Sequence, residues 1–425
     1  MSIREELSAA PVVPLRYLVS FNPRPMSNSG GDAVYLPMEA ISEFGPVDTS
    51  RRRPIDDLRQ GYSYVANGDV AFAKVTPCFE NGKGFVARDL PDGQAFATTE
   101  VTVMRPSVEV EADYLGWILR SSDFLKRGES HMTGSGGLRR VPETFVGSYS
   151  IPLPDRRTQR AVAKFLDRET CRIDTLIEEQ RCLIKMLHER RHALRVHVAL
   201  HGTMPTEEVK SALRWANQLP ANWRVVPLAS VAQLESGHTP SRSREDWWTD
   251  CYIPWVSLHD VGTMRGVKYL QDTKQRISDA GLANSSARLL PARTVVLSRD
   301  ATVGRAAIMS VPMATSQHFA AWVCGPLLDP EYLWVLFADA MQSFFDSFQN
   351  GSTIRTIGMG DLKAFRIPLP PLDEQRRIVE YLDEETPKID TLIAETERFI
   401  ELSRERRAAL ITAAVTGQVD VQEMA

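Results

Sequence analysis

The sequence lacks the features that mark membrane, secreted or ATP-driven proteins. No apolar run approaches the roughly 18 residues that predict a transmembrane helix. The opening MSIREELSAAPVVPL is too acidic and too poor in apolar residues for a signal peptide. The phosphate-binding motif G-x-x-x-x-G-K-S/T does not occur, which argues against ATP use by this chain.

Cysteine pairs and excess positive charge are also missing. The five cysteines are odd in number and widely spaced, and no C-x-x-C pair occurs, which argues against a disulfide framework or a zinc site. A reducing cytoplasm is the expected compartment. The net charge is −4, whereas a protein that holds DNA alone through phosphate contacts is usually basic. Any DNA binding must therefore use local basic patches or the charge of a partner.

What the sequence does contain is an internal repeat. Residues 151–194 recur at 367–410 with a constant offset of 216 positions. Over residues 159–177, 11 of 19 positions are identical to their counterparts, where unrelated segments would share about one. A dissimilar segment precedes each copy, so the order is variable, constant, variable, constant. This order indicates two non-equivalent reading heads on one duplicated frame.

Both variable segments favour short strands, turns and a helix. In residues 12–149, Asn67-Gly68 predicts a turn, 96–104 is rich in β-branched residues, and 114–128 has the spacing of an amphipathic helix. Residues 219–365 repeat this order with little identity. The expected fold class is α+β, with two globular α/β heads, two long antiparallel helices between them as a coiled coil, and an internal pseudo-two-fold repeat. The predicted boundaries are 1–150, 151–205, 206–366 and 367–425.

The constant blocks are predicted to be helical. Each opens with Ile-Pro-Leu-Pro, which favours an extended lead-in, followed by a short helix at 158–167 or 373–383. Thr170 and Thr386 then occupy N-cap positions, and Pro387 the first helical position of the second copy. Long helices are expected to follow and to end near residues 200 and 415. With roughly 28 residues and a rise of about 1.5 Å per residue, each helix would be about 42 Å long.

A coiled-coil seam is predicted along both long helices, because apolar residues recur at intervals of three and four. Antiparallel pairing would suit a palindromic ligand or two identical partners. The predicted core of the helix pair is Ile173, Leu176, Leu183, Leu187, Leu194, Ile389, Leu392, Phe399 and Leu410.

These residues resemble the specificity subunit of type I restriction-modification systems over nearly the whole chain. The most specific part is the doubled block I-P-L-P-x-x-x-E/T-Q-R … L-D-x-E-T-x-x-I-D-T-L-I … E-R-R-x-A-L. The stretches Leu219-Pro220-x-x-Trp223 and Gly237-His238-Thr239-Pro240 are similar to the family's opening of a target-recognition domain. The first segment lacks a Leu-Pro-x-x-Trp opening, and Thr158 stands where the second block has Glu374.

The resemblance implies a function without catalysis. Target-recognition domain 1 (1–150) and target-recognition domain 2 (206–366) would each read one half of a split double-stranded DNA target, and the helical spacers would set the distance between the halves. The spacers would also dock two methyltransferase subunits, which carry S-adenosylmethionine and methylate adenine. Two restriction subunits that use ATP and magnesium are further implied partners. The chain itself would hold no cofactor and cross no membrane.

Two patterns that could have indicated chemistry are weak. Asn22-Pro23-Arg24-Pro25 lacks the second proline and the aromatic residue of an amino-methyltransferase motif, so a loop is favoured. Histidines 188, 192, 197 and 201 lie near i, i+4 spacing, but no acidic base is interleaved as in H-E-x-x-H. A solvated helix face is favoured over a zinc site, and no catalytic or metal residue is predicted.

Candidate DNA-binding residues are basic side chains in the variable segments, because arginine and lysine contact phosphates and guanine edges. Residues present in both heads are better candidates for phosphate positioning, and residues in one head for specificity. For any single arginine, solvation remains the more common role. The candidates are Arg51, Arg52, Arg53, Lys74, Lys83, Arg139, Arg140, Arg242, Arg244, Arg265, Lys268, Arg299, Arg305 and Arg355.

Two other functions remain open from the sequence. A stand-alone DNA-modifying enzyme with a cryptic site would turn over DNA without partners. A protein–protein scaffold on a coiled coil would show weak or salt-insensitive DNA association, because contacts to phosphates depend strongly on salt.

Overall fold

The computed structural model describes residues 3–25, 31–135, 137–300, 302–348, 356–419 and 421. Packing divides the chain into two compact units, which we call unit 1 (residues 1–181 with 397–425) and unit 2 (182–396). This division cuts through both long helices, so the four predicted segments stay a prediction about the repeat.

Unit 1 contains two four-stranded sheets and a short strand pair. One sheet has the order β2-β9-β6-β7 and the other β4-β3-β8-β5, and β1 pairs with β10. The strands are β1 Val12–Pro14, β2 Val19–Phe21, β3 Asp32–Leu36, β4 Arg52–Pro54, β5 Ser63–Ala66, β6 Val70–Ala73, β7 Gly84–Val86, β8 Gln94–Ala97, β9 Val101–Pro106 and β10 Ser150–Pro152. The helices are α1 Ile3–Ala9, α2 Ile55–Arg59, α3 Ala112–Leu119, α4 Ser122–Ser130, α5 Glu143–Ser148 and the start of α6 Arg156–His201.

The single helix predicted at 114–128 is wrong, because α3 and α4 are separate. Ser121 between them has an extended backbone, and its Oγ accepts a hydrogen bond from the Phe124 N–H at 3.3 Å. Ser121 therefore caps the N-terminus of α4. Its side chain satisfies the Phe124 N–H, which in a continuous helix would donate to a backbone carbonyl one turn earlier. The apolar periodicity runs through the break because both helices bury residues in the same core, including Leu115 and Phe124.

Unit 2 contains a five-stranded sheet of order β14-β21-β18-β19-β16, a three-stranded sheet of order β17-β15-β20 and two strand pairs, β11-β12 and β13-β22. The strands are β11 Glu208–Leu213, β12 Ala216–Pro220, β13 Arg224–Pro227, β14 Ala232–Ser236, β15 Ile253–Val256, β16 Tyr269–Leu270, β17 Arg276–Ile277, β18 Val295–Ser298, β19 Ala306–Met309, β20 Ala314–Thr315, β21 Phe319–Cys324 and β22 Arg366–Leu369. The helices are α7 Asp279–Ala283, α8 Pro330–Val335, α9 Gln342–Asp346, α10 Met359–Ala364 and the start of α11 Leu372–Val415, and a π-helical turn at Leu336–Ala340 follows α8.

The two units share one topology. The order β2-β9-β6-β7 corresponds to β14-β21-β18-β19, and the parallel pair β3-β8 corresponds to β15-β20. The strand pairs that close each repeat also match: Val13 lies opposite Ile151, and Val226 opposite Ile367. The predicted α+β fold with an internal repeat is therefore confirmed.

Each constant block forms one continuous helix, so the predicted short helix followed by a capped long helix is wrong. α6 has 46 residues and α11 has 44, with Pro387 inside α11. Thr170 does not cap a helix; its hydroxyl donates to the Leu166 carbonyl at 2.6 Å, one turn earlier. Residues before the predicted break, such as Leu166, Ile378 and Leu382, are buried in the cores of their units. Their burial stabilises a continuous helix despite the proline.

The helices run antiparallel within each unit. In unit 2, Leu187 packs with Ile389 and Ile393, and Arg191 Nη1 donates to Asp390 Oδ1 at 2.5 Å. In unit 1, Arg407 Nη2 donates to Asp174 Oδ2 at 3.1 Å.

Three predicted seam residues are wrong. Leu183, Leu392 and Phe399 are 36%, 48% and 43% exposed, whereas Ile393 and Ile400 beside the latter two are buried. Neighbouring residues on a helix point about 100° apart, so only one of each apolar pair can face the partner helix. The remaining predicted positions are buried (Leu187 and Ile389) or half-buried (Ile173, Leu176, Leu194 and Leu410).

Candidate nucleic-acid interface

Three loops meet beyond the end of strand β6 in unit 1 and of strand β18 in unit 2, and we call this place the loop junction. In unit 1 the Lys74 N–H donates to the Glu100 carbonyl at 2.8 Å, and the Lys74 carbonyl accepts from the Val141 N–H at 2.8 Å. In unit 2 the Arg299 N–H donates to the His318 carbonyl at 3.0 Å, and the Arg299 carbonyl accepts from Ile357 at 2.7 Å. The same backbone frame therefore presents different side chains.

The junction of unit 1 carries an exposed ion pair. Arg140 donates from Nε and Nη2 to the two carboxylate oxygens of Glu100, at 2.8 and 2.7 Å. The Arg140 hydrogen bond lowers the pKa of Glu100 from its ordinary value. Arg139 lies next in the chain, 3.6 Å from Glu80. The junction thus brings together three predicted residues, Lys74, Arg139 and Arg140.

The junction of unit 2 carries an Asp–His pair that the sequence did not indicate. His318 Nδ1 lies 2.9 Å from both carboxylate oxygens of Asp300. The adjacent Gln317 receives a hydrogen bond from the Thr239 hydroxyl at 2.7 Å. The predicted Arg299 lies here too, with its Nε donating to the Ile357 carbonyl at 3.2 Å. The predicted Arg355 lies outside the described residues.

The arginine run of unit 1 lies away from the junction, on and beside strand β4. Arg51 contacts Glu39 at 2.6 Å, and Arg52 contacts Asp92 at 2.8 Å. Arg53 stacks over the Tyr35 ring with its Cζ 4.6 Å from the ring centroid. These three side chains have partners within the unit yet remain exposed, so they can still meet a phosphate.

Lys83 follows a tight turn, in which Gly82 has a φ of +67°. Its Nζ donates to the Met38 carbonyl at 3.3 Å, so this predicted DNA-binding side chain is directed toward the protein.

Two predicted arginines of unit 2 stack on tryptophans. Arg242 lies 3.8 Å from the Trp248 ring centroid and donates to Gln275 at 3.1 Å. Arg244 lies 5.0 Å from the Trp247 ring centroid and pairs with Asp246 at 2.9 Å. Stacking fixes the guanidinium planes while leaving donor edges at the surface.

The other predicted residues of unit 2 differ in exposure. Lys268 is 17% exposed, and its Nζ contacts Asp383 on helix α11 at 2.7 Å, which fits a structural role. Arg265 is exposed and Arg305 is half-buried.

A cavity of about 460 Å³ in unit 1 is lined by charges of both signs, with Arg88 and Arg120 beside Asp113 and Asp167. Arg120 stacks 3.8 Å over the Trp117 ring, and burial lowers the pKa of its guanidinium to about 10. The carboxylates balance the cations, so the lining does not favour an anion.

The described ranges, which are 3–25, 31–135, 137–300, 302–348, 356–419 and 421, hold neither a metal site nor a membrane span. Within them, no group of three or more histidine, cysteine or acidic side chains is placed to bind a metal ion. No helix in those ranges combines the length and apolar character needed to cross a membrane.

Parts of the chain are similar in sequence to known proteins. Residues 220–398 match the family described as type I restriction modification DNA specificity domain. The chain is 35% identical over 153 residues to the EcoEI specificity subunit of Escherichia coli, which covers 35% of this chain and 26% of that subunit. The aligned part thus spans about a quarter of that relative's length.

Two solved structures share the fold over 96% of this chain, each at 22% identity. One comes from a study of complex assembly and conformational transition of the type I R-M system, with a TM-score of 0.74 over 98% of its chain. The other is the HsdS subunit from Thermoanaerobacter tengcongensis, with a TM-score of 0.61 over 97% of its chain. Residues 220–398 are thus similar to the type I restriction modification DNA specificity domain, and 96% of the chain shares the fold of these two solved structures.

Proposed function

We propose that this chain is the non-catalytic DNA sequence-specificity subunit of a type I restriction-modification complex, in which each unit reads one half of a bipartite target. The observation that carries the proposal is the loop junction. Both units build it from the same backbone hydrogen bonds, while the side chains differ between Glu100–Arg140 and Asp300–His318. A common frame with different polar side chains suits two heads that read different sequences.

The helices α6 and α11 have two proposed roles, which are to set the distance between the half-sites and to dock two methyltransferase subunits. Exposed apolar side chains on these helices, such as Met186 and Leu392, support a docking role because they lie outside the buried seam. S-adenosylmethionine, ATP and magnesium would be bound by partner subunits in the cytoplasm. Partner charge would also offset the acidic balance of this chain, whose net charge is −4.

The proposal is tested by co-expressing the chain with its cognate methyltransferase subunit in a host without other adenine methylation. Sequencing of the methylated genome should reveal one split, asymmetric motif. Expression of the methyltransferase subunit alone is the control and should give no such motif. The absence of a split motif with both subunits present would overturn the proposal, and turnover by the purified chain alone would favour an enzyme.

The spacing role is tested by removing seven residues from the seam of each long helix, a change that keeps the apolar register. Seven residues correspond to about 10.5 Å of helix at about 1.5 Å per residue, or roughly 3 base pairs at about 3.4 Å per pair. The methylated motif should lose about that many spacer positions, or activity should be lost. An unchanged spacer would show that the helices do not set the distance.

A further inference from the structure

The turn between strands β20 and β21 displays two polar side chains. Ala314, Thr315, Ser316 and Phe319 are buried. Gln317, between them, is exposed, and the side chain of His318 is 33% exposed. Buried residues on both sides fix the turn, so it presents these two side chains at a defined place on the surface.

Both side chains are held in position before any ligand binds. An ionised carboxylate only accepts hydrogen bonds, so the two 2.9 Å contacts to Asp300 place the ring proton of His318 on Nδ1. Nε2 is then the acceptor nitrogen of the ring. The Gln317 amide nitrogen donates to it over a long 3.4 Å contact, which a base at His318 would replace. The Thr239 hydroxyl donates to Gln317 Oε1 at 2.7 Å, which orients the amide. Positioning in advance lowers the entropy cost of binding.

A glycine makes the Thr239 contact possible. A Cβ atom on Gly237 would lie 1.6 Å from the Thr315 carbonyl oxygen, so only glycine allows residues 237–239 to lie against strand β20. This close approach places Thr239 beside Gln317. The Gly-His-Thr-Pro stretch therefore has a structural purpose at the junction.

The chemistry of the two side chains matches base edges in the major groove of DNA. The glutamine amide has the donor and acceptor that pair with N7 and N6 of adenine. Histidine Nε2 can accept from the amino group of adenine or cytosine, and as an imidazolium it can donate to guanine. The corresponding junction of unit 1 carries Glu100 and Arg140, which suit cytosine and guanine.

We propose that unit 2 reads its half of the target through Gln317 and His318, which Thr239 and Asp300 hold in place at the loop junction. This inference rests on the proposed function, because it names the reading residues of a DNA-specificity subunit. The sequence predicted basic residues as the DNA contacts, whereas this inference assigns base specificity to a glutamine and a histidine. Arg299 would then contact phosphate and position the DNA.

The test uses the complex with the methyltransferase subunit and the split motif that the wild-type complex methylates. Gln317→Ala and His318→Asn are compared with Gln233→Ala, a control in strand β14 of the same unit whose glutamine is also exposed. Binding is measured to duplexes in which each base pair of the motif is substituted in turn, and the methylated motif is determined for each variant.

Gln317→Ala and His318→Asn should each reduce discrimination at one or two base pairs of one half-site, by roughly 5- to 150-fold. Preference in the other half-site should stay unchanged. Preference at the remaining base pairs of the same half-site should also stay unchanged, which shows that unit 2 of the variant is folded. Gln233→Ala should leave both halves unchanged. Conversely, Glu100→Gln in unit 1 should reduce base discrimination only in the half-site that unit 1 reads.

Three results would overturn the inference. The variants could leave both half-sites unchanged, could weaken binding without changing base preference, or could relax both halves together. All three presuppose a wild-type complex that methylates a split motif. A wild-type complex without such a motif would instead overturn the proposed function, so the two failures are distinguishable.

Discussion

Units 1 and 2 enter their central strands through the same tight turn but stabilise it differently. In unit 1 the Ala66 N–H donates to the Asp69 carboxylate at 2.8 Å. Asp69 is fully buried, and Arg105 donates to its two oxygens at 2.7 and 2.8 Å. A buried carboxylate requires such a partner because removing its charge from water is costly.

Unit 2 has no carboxylate in this turn. Pro291 stands where unit 1 has Ala66 and has no N–H to donate. Thr294 replaces Asp69, and its hydroxyl donates to the Pro291 carbonyl at 2.7 Å. Val323 occupies the strand position of Arg105. The loss of one backbone donor thus removes the need for an acidic residue and, with it, for the arginine.

The largest expected effect is in the helices, where the buried seam of each unit can be broken separately. Ile393→Ala in unit 2 and Ile400→Ala in unit 1 should each lower the free energy of unfolding by about 3 kcal/mol, because both remove a buried side chain from between the helices. Leu392→Ala, the matched control in unit 2, removes an exposed side chain and should cost less than about 1 kcal/mol. Urea unfolding measures both. If Leu392→Ala cost as much as Ile393→Ala, Leu392 would have to be buried between the helices as well, in contradiction to its exposure.

The second prediction replaces the ion pair in the turn of unit 1 with the uncharged residues of unit 2. Ala66 keeps its N–H, so the expected recovery of stability is partial. Asp69→Thr should lower the free energy of unfolding by about 2–3 kcal/mol, because Arg105 and the Ala66 N–H lose their acceptor. This loss is smaller than for a fully buried ion pair because the Arg105 side chain is 34% exposed. The double variant Asp69→Thr with Arg105→Val should recover more than half of that loss in thermal unfolding. A double variant as unstable as the single one would show that the two turns are not interchangeable.

The smallest expected effect concerns backbone conformation within the same turn. Gly68 has a φ of +91° with open space around a Cβ position, whereas unit 2 has Arg293 there with a φ of +66°. Gly68→Ala should therefore cost about 1 kcal/mol through conformation alone. Gly68→Asn should cost less, because asparagine tolerates the left-handed region. In thermal unfolding the protein with glycine at position 68 should be the most stable, the asparagine variant the next and the alanine variant the least. Any other order would contradict this explanation.

The sequence predicted the frame well because the frame is repeated. The constant offset identified both long helices and the common topology of the heads. It misplaced the helix starts, since Thr170 and Pro387 favour a break that burial of Leu166 and Leu382 outweighs. Adjacent apolar pairs such as Leu392 and Ile393 could not be separated without knowing how the helix is rotated toward its partner.

The candidate interface was harder to predict, because residue type alone does not show where a side chain points. Residue type favours Lys268 as a DNA contact, whereas in the structure its Nζ is directed to Asp383. Asp300 and His318 are 18 positions apart and form no motif, so only the backbone contacts between their loops bring them together. The signal that identifies them is that equivalent backbone positions of the two units carry different polar side chains.

The packing of helix α1 has a consequence for the order in which the protein is made. Ile3 and Leu7 are buried in the same core as Ile411, Ala414 and Val415, at the far end of the chain. Unit 2 is one continuous stretch, so a ribosome releases all of it while unit 1 still lacks residues 397–425. The unit whose first residues are synthesised earliest is therefore the last to complete its core, because that core needs residues 397–425.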